Sequence, residues 1–176
     1  LEAGGALLYE SSRIVDIYIA QERMTEAGID DKNRAREVKK QLKKYKRLAG
    51  MVTPMSKYYC SEMCNKVCYD SIQVLGGSGF MRDYPCERYA RDARITTIYE
   101  GTSQLQVVAA VRGVCGGTAQ KYLKELAAID YDQSVKDLLE VLAKGVEQLQ
   151  KAAAYVKQAG IEYMDLYGRD LVDTAV

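Results

Sequence analysis

The sequence predicts an all-α protein, and three observations support this prediction. Only two prolines, Pro54 and Pro85, occur in 176 residues. Apolar residues recur over long segments with the 3.6-residue period of a helix. Glycine and proline clusters separate these segments at positions where helices usually begin or end.

The first three helices are expected between residue 3 and residue 74. The first covers residues 3–27, with Gly28 as its C-cap and with Ala6, Ile14, Ile17 and Tyr18 turned toward a core. A second helix restarts after the polar segment 29–34 and runs to about Leu48. Thr53 followed by Pro54 is typical of an N-cap and a first helical position, so a separate third helix is expected over 54–74.

The glycine-rich segment "LGGSGF" is expected to end the third helix. A turn at 83–85 then leads to a short charged helix, and residues 95–99 are expected to be extended or a loop. A further long helix is predicted from Thr102 to about Val114, with Thr102 or Ser103 as its cap. The segment "GVCGG" is a boundary, and three helical segments are expected at 118–129, 131–159 and 161–176. An apolar stripe in the second of these comprises Leu138, Leu142, Leu149 and Val156.

Composition excludes several classes of protein. The net charge of +1 argues against a strongly basic nucleic-acid binder, although basic residues cluster between Lys39 and Arg47. That cluster is read as a solvated helix face, with an anion or membrane-surface patch as the alternative. No apolar run approaches the ~20 residues that a membrane-spanning helix needs. Because the chain begins "LEAGG" without Met, a fragment or a processed product is expected, and a missing signal segment says little about the parent protein.

Cysteine and histidine usage limits the chemistry. There are five cysteines and no histidine, which disfavours a disulfide framework and a Cys/His zinc site and indicates a reducing, cytoplasmic compartment. Cys60, Cys64 and Cys68 are spaced for one helical face, and we expect a buried stripe rather than a three-thiolate metal site. Any proton transfer must therefore use Glu, Asp, Lys, Tyr or Cys.

Three segments could carry chemistry. The first, residues 73–80, is interpreted as a helix stop, with a phosphate-contacting turn as the alternative. The second is a charged segment that predicts an ion-pair network, including Glu87 with Arg91 and Arg88 with Asp92, or a phosphate-binding arginine. Its charged residues are Arg82, Asp83, Glu87, Arg88, Arg91, Asp92 and Arg94.

The third segment is "YEGT", residues 99–102. Glu100 could simply favour the dipole of the following helix. Its position between an aromatic residue and a glycine also suggests burial, which would make the carboxylate a better base. Without histidine, Glu100 is the best candidate for proton abstraction.

The segment from Ile72 to Arg112, "IQVLGGSGFMRDYPCERYARDARITTIYEGTSQLQVVAAVR", resembles the C-terminal helical domain of the acyl-CoA dehydrogenases. It joins a Gln-x-x-Gly-Gly turn, an Asp-x-Pro-x-Glu-Arg segment and a Tyr-Glu-Gly-Thr-Ser-Gln turn in the order that the family has. The resemblance implies a helical bundle at 1–115 and a helical C-terminal extension at 116–176. The residues of these motifs are also similar to those of longer bacterial members of the family, which carry such an extension.

The resemblance also implies FAD-dependent oxidation of an acyl-CoA thioester. Glu100 would remove the α-proton, while Tyr99 and Gly101 would flank the thioester. Thr102 and Gln104 match positions that contact FAD, and Gln73, Gly76 and Gly77 match a turn that reaches FAD from a neighbouring subunit. An electron-transfer flavoprotein as acceptor and a homo-oligomer, a dimer or tetramer, are the expected partners.

Two features depart from the family pattern. First, Val107 stands where many relatives have arginine. Second, the N-terminal helical domain and the middle β-domain of the family are missing. Because those domains supply much of the FAD and acyl site, the chain alone is expected to bind FAD weakly and to be inactive. Two alternatives keep much of this reading: a non-catalytic oligomerisation or partner-binding module, and an acyl-CoA oxidase. For residues 118–176, intrachain packing is expected, with tetramer contacts or substrate-size restriction as alternatives.

Overall fold

The computed structural model describes residues 2–176. Over this range the chain is all-α, as the sequence predicts, and no strand is present. A short 3₁₀ turn, Gln133–Val135, precedes the seventh helix. The eight helices are α1 (Glu2–Glu26), α2 (Lys32–Leu75), α3 (Gly77–Phe80), α4 (Cys86–Ile95), α5 (Ser103–Cys115), α6 (Thr118–Ala127), α7 (Lys136–Ala159) and α8 (Ile161–Ala175).

Helix α2 is a continuous spine of 44 residues, so the predicted helix break at Thr53-Pro54 is wrong. Proline inside a helix removes one backbone hydrogen bond and costs about 3 kcal/mol. Burial on both sides of Pro54 offsets this cost, and the affected carbonyl belongs to Gly50, which is exposed to water. The buried side chains around the proline are Leu48, Met51, Val52, Met55 and Tyr58.

The core is built mainly from buried side chains of α1, α2, α5, α7 and α8. Helices α1 and α5 both pack on α2, and α8 packs on α5 and α7. The largest fully buried side chains are Ile14, Val107, Val114, Leu149 and Val172. The segment beyond residue 116 therefore contributes to the same core, which agrees with intrachain packing of α8. The division into residues 1–115 and 116–176 stays a prediction.

Helices α2 and α5 approach each other closely at Gly113. A Cβ atom added at Gly113 would lie 2.6 Å from Cγ of Met51. A side chain at this position would force Met51 to shift and would overpack the contact. The contact fixes α5 against α2, and α5 begins directly after the segment that carries Glu100.

The residues predicted to face the core on α1 and α7 are buried only in part. Ile14 is buried and Ala6 is exposed on α1, while Leu149 and Val156 are buried on α7 and Leu138 is 65% exposed.

The expected buried cysteine stripe is wrong. Cys64 is exposed, and Cys60 and Cys68 are only partly buried, because their face of α2 is not covered along its whole length. Within residues 2–176, no cluster of His, Cys, Asp or Glu side chains is arranged to hold a metal ion. No helix in the same range has the length and hydropathy required to cross a membrane.

Candidate functional site

The segment between α4 and α5 is a series of tight turns rather than an extended strand. The Thr96 amide donates to the Ala93 carbonyl at 3.0 Å, and the Ile98 amide donates to the Ile95 carbonyl at 2.9 Å. The Tyr99 amide donates to that same Ile95 carbonyl at 3.0 Å. These hydrogen bonds keep the backbone in tight turns up to Tyr99. The chain then reverses its direction at the next two residues.

Glu100 adopts an unusual backbone conformation at this reversal. Its φ is 52°, and within residues 2–176 it is the sole non-glycine residue with positive φ. Gly101 follows with φ 92°. The left-handed region costs an L-residue about 1–2 kcal/mol, so surrounding contacts must hold Glu100 there. Residues held in such conformations are concentrated at functional sites.

Two side-chain donors hold the two peptide carbonyls of the reversal. Nε2 of Gln106 donates to the Glu100 carbonyl at 3.0 Å. Nζ of Lys57, on α2, donates to the Gly101 carbonyl at 2.7 Å. The same ammonium lies 5.7 Å from the centre of the Tyr99 ring. The turn is therefore fixed from its own helix and from the α2 spine.

The base of the turn is closed by the start of α5. Thr102 is the N-cap, as predicted, and its Oγ1 accepts from the Leu105 amide at 3.4 Å. The Ser103 amide donates across the turn to the Thr97 carbonyl at 3.1 Å. Side chain, cap and cross-turn bonds together leave Glu100 little freedom to change its direction.

The Glu100 side chain is exposed, so the burial expected from its sequence neighbours is not supplied by residues 2–176. Tyr99 beside it is 50% exposed. No lysine or arginine nitrogen within the described part of the chain lies within 4.0 Å of the Glu100 carboxylate. The turn thus displays an unpaired carboxylate on a rigid backbone, next to an aromatic ring.

The glycine-rich turn forms a second exposed feature, at the C-terminus of α2. Gly76 has φ 59° and its amide donates to the Gln73 carbonyl at 3.2 Å. A Cβ atom added at Gly76 or Gly77 would meet nothing within 4 Å. A ligand can therefore approach this backbone closely, and the helix stop that the sequence predicts is also confirmed.

The charged segment on and before α4 does not form the predicted ion-pair network. Between residues 2 and 176, neither Glu87 with Arg91 nor Arg88 with Asp92 lies within ion-pair distance. All of these except the half-buried Glu87 are exposed, and exposed pairs gain little free energy in water.

Helix α4 is held instead by a neutral side chain on α2. Nδ2 of Asn65 donates to the Ala93 carbonyl at 2.9 Å and to the Thr96 hydroxyl at 3.3 Å. In the last turn of α4, the Arg94 guanidinium donates to the Thr97 hydroxyl, so this arginine holds the turn that precedes Glu100.

Comparison with known proteins assigns much of this architecture to a family. Residues 32–115 match the family described as "Acyl-CoA dehydrogenase, C-terminal domain". This part of the chain is similar to the C-terminal domain of the acyl-CoA dehydrogenases. The match begins with α2 and ends with α5, so it contains the spine, both exposed turns and α5.

Similar proteins come from two bacteria and a mammal. The chain is 48% identical over 61 residues to "Caffeyl-CoA reductase-Etf complex subunit CarC" of Acetobacterium woodii, covering 35% of the chain and 16% of that protein. It is 42% identical over 69 residues to "Acyl-CoA dehydrogenase" of Bacillus subtilis, covering 39% of the chain and 18% of the relative. It is 52% identical over 52 residues to the mitochondrial short-chain specific acyl-CoA dehydrogenase of Rattus norvegicus, covering 30% and 13%. The chain thus spans less than a fifth of each of these relatives.

The eight site residues proposed from the sequence all lie inside the acyl-CoA dehydrogenase match, in two groups. Tyr99, Glu100, Gly101, Thr102 and Gln104 form one contiguous site, while Gln73, Gly76 and Gly77 form the other. Helix α4, about 15 Å long, lies between them. Lys57 and Gln106 were not found from the sequence, because neither position has a local pattern that marks a donor to the turn.

Proposed function

We propose that this chain is the C-terminal portion of a flavin-dependent acyl-CoA dehydrogenase, with Glu100 as the base that removes the substrate α-proton. The observation that carries the proposal is the backbone of Glu100, held at φ 52° by donors to its own carbonyl and to the next one. Such a conformation persists only where surrounding contacts hold it, and it is concentrated at functional sites. The position lies within the acyl-CoA dehydrogenase match.

The chemistry requires a carboxylate that is free to take a proton. The thioester carbonyl acidifies the α-carbon of an acyl-CoA, and an exposed, unpaired Glu100 on a rigid turn can be directed at that proton. Tyr99 and Gly101 would lie on either side of the thioester. Bound FAD would accept the hydride that leaves the β-carbon, giving a trans-2-enoyl-CoA. Closure of the site by the substrate would exclude water from the carboxylate and strengthen it as a base.

The exposed residues fit an edge of the FAD site. Thr102 and Gln104 are exposed at the N-terminus of α5, beside the proposed base, where they can contact the cofactor. Gln73, Gly76 and Gly77 present open backbone at the far end of α4, which suits contact with FAD bound to a neighbouring subunit. On this proposal the protein is a homo-oligomer, and the chain alone binds FAD weakly and is inactive.

The electron acceptor is proposed from a relative. The Acetobacterium woodii protein is named as a subunit of a caffeyl-CoA reductase-Etf complex. We propose an electron-transfer flavoprotein as the acceptor of this enzyme too, in the cytoplasm.

The test uses the whole protein that contains this chain, loaded with FAD and mixed with a panel of acyl-CoA thioesters and an artificial electron acceptor. Loss of a general base typically lowers the rate by about 10²–10⁴-fold. The Glu100→Gln protein should therefore fold and bind FAD, which keeps it yellow, but acyl-CoA should reduce its flavin and be turned over slower by that factor. Glu87→Gln on α4 is the matched control and should behave as wild type. A Glu100→Gln enzyme with the wild-type rate would refute the assignment.

The same preparation separates the two alternatives. A colourless protein that still assembles would indicate a non-catalytic oligomerisation or partner-binding module. Peroxide formed once per turnover in air would indicate an acyl-CoA oxidase.

A further inference from the structure

Lys57 is placed unusually for a lysine. Its side chain is half-buried on α2, and its Nζ reaches the Gly101 carbonyl across 44 residues of sequence at 2.7 Å. No carboxylate within residues 2–176 lies within 4.0 Å of that ammonium. The neighbours that it does have are a backbone carbonyl and the Tyr99 ring.

The contacts of Lys57 act on the backbone of the turn rather than on the Glu100 carboxylate. A charged donor makes a shorter and stronger hydrogen bond to a carbonyl than a neutral donor does. The aromatic ring adds a favourable cation–π contact. Since Gln106 fixes the Glu100 carbonyl and Lys57 fixes the next one, the peptide planes after Glu100 and after Gly101 are both held.

We propose that Lys57 is a positioning residue for the catalytic turn: it orients Glu100 through the Gly101 carbonyl and leaves the Glu100 carboxylate without an ion-pair partner. The inference rests on the proposed function of Glu100. It gives the α2 spine a part in positioning the base, because α2 carries the donor that holds the Gly101 carbonyl. A displacement of about 1 Å at a reacting group can cost about 100-fold in rate.

The first measurement does not depend on catalysis. Hydrogen–deuterium exchange by mass spectrometry follows a peptide that covers residues 95–106 in the 176-residue chain. Lys57→Met keeps most of the apolar stem and removes the ammonium. Loss of a hydrogen bond from a charged group should speed exchange at the Tyr99 and Ser103 amides by roughly 10- to 100-fold.

The second measurement uses the FAD-loaded whole protein. Lys57→Met should lower kcat by roughly 10- to 100-fold and change KM by less than about threefold, because positioning acts in the transition state. Lys57→Arg keeps a charged donor and should recover part of kcat. Lys66→Met is the matched control, since Lys66 also lies on α2 and its ammonium pairs with the exposed Asp70 at 2.9 Å. It should change neither exchange nor kcat.

The outcomes separate this proposal from the proposed function. Faster exchange with a lower kcat and rescue by Lys57→Arg supports the positioning role. Unchanged exchange in Lys57→Met overturns the inference, as does faster exchange with an unchanged kcat, and in both cases the dehydrogenase assignment stands on its own activity. A wild-type protein that oxidises no acyl-CoA overturns the proposed function and, with it, the catalytic meaning of the Lys57 contact.

Discussion

Replacing Gly101 by alanine tests whether the turn around Glu100 is built as the contacts indicate. Gly101 has φ 92°, where an L-residue is strained. A Cβ atom at this position would lie 2.6 Å from Nε2 of Gln106. The new methyl group must therefore displace the side chain whose amide donates to the Glu100 carbonyl.

The loss in the free energy of unfolding follows from the backbone strain and the broken hydrogen bond. Positive φ costs alanine about 1–2 kcal/mol, and a lost neutral hydrogen bond costs about 0.5–1.5 kcal/mol. Alanine also restricts the unfolded chain, which returns about 0.4–1 kcal/mol. We expect Gly101→Ala to lower the free energy of unfolding by about 2 kcal/mol and Gln106→Ala by about 1 kcal/mol. In the double variant the clash is absent, so the two losses should fall short of additivity by about 1 kcal/mol.

The assay is urea unfolding followed by far-UV circular dichroism. Gly50→Ala on α2 is the control, because Gly50 is helical and a Cβ atom there meets nothing within 4 Å. That substitution should stabilise the chain by about 0.5–1 kcal/mol. A Gly101→Ala chain as stable as wild type, or strict additivity with Gln106→Ala, would refute this account of the turn.

Two further predictions concern the packing behind the turn. Gly113→Ala should destabilise the chain by about 1–3 kcal/mol in the same assay, because the new methyl group overpacks against Met51. Adding Met51→Ala to that variant should remove part of the penalty. If the free-energy losses of the two substitutions simply add, the close contact is contradicted. Burial, followed by the Asp173 carboxylate, raises the pKa of Tyr58 to about 12. The neutral phenol should therefore contribute about 2–3 kcal/mol that is fully present below about pH 10 and is lost as the pH rises toward 12. Tyr58→Phe should flatten the pH dependence of the free energy of unfolding over this interval. Tyr155→Phe, at an exposed site, should leave that dependence unchanged. Equal pH curves for both variants and the wild type would disprove the raised pKa of Tyr58.

Several elements could be predicted from local sequence because local interactions decide them. The glycine stop at Gly76 and the Thr102 cap depend on one residue's backbone freedom or one short side chain, and both were predicted. The residues of the candidate site were also proposed from an ordered set of short motifs. Their roles stay predictions.

Other features depend on which parts of the chain meet. Thr53-Pro54 has the local pattern of a helix start, yet the helix continues through it because neighbouring side chains are buried on both sides. The balanced charges of the α4 segment suggested ion pairs, but exposure removes most of the energetic reason to form them.

The sequence by itself determined the helical class, the helix ends at Gly76 and Thr102, and the segment in which to look for a base. Periodicity and capping are properties of adjacent residues, so they can be read without a fold. Tertiary structure alone decided that α2 is a single spine and that Lys57 lies against the Gly101 carbonyl. It also decided that Glu100 is exposed and held at positive φ. These features need contacts between residues far apart in the chain, and no local pattern of residues specifies them.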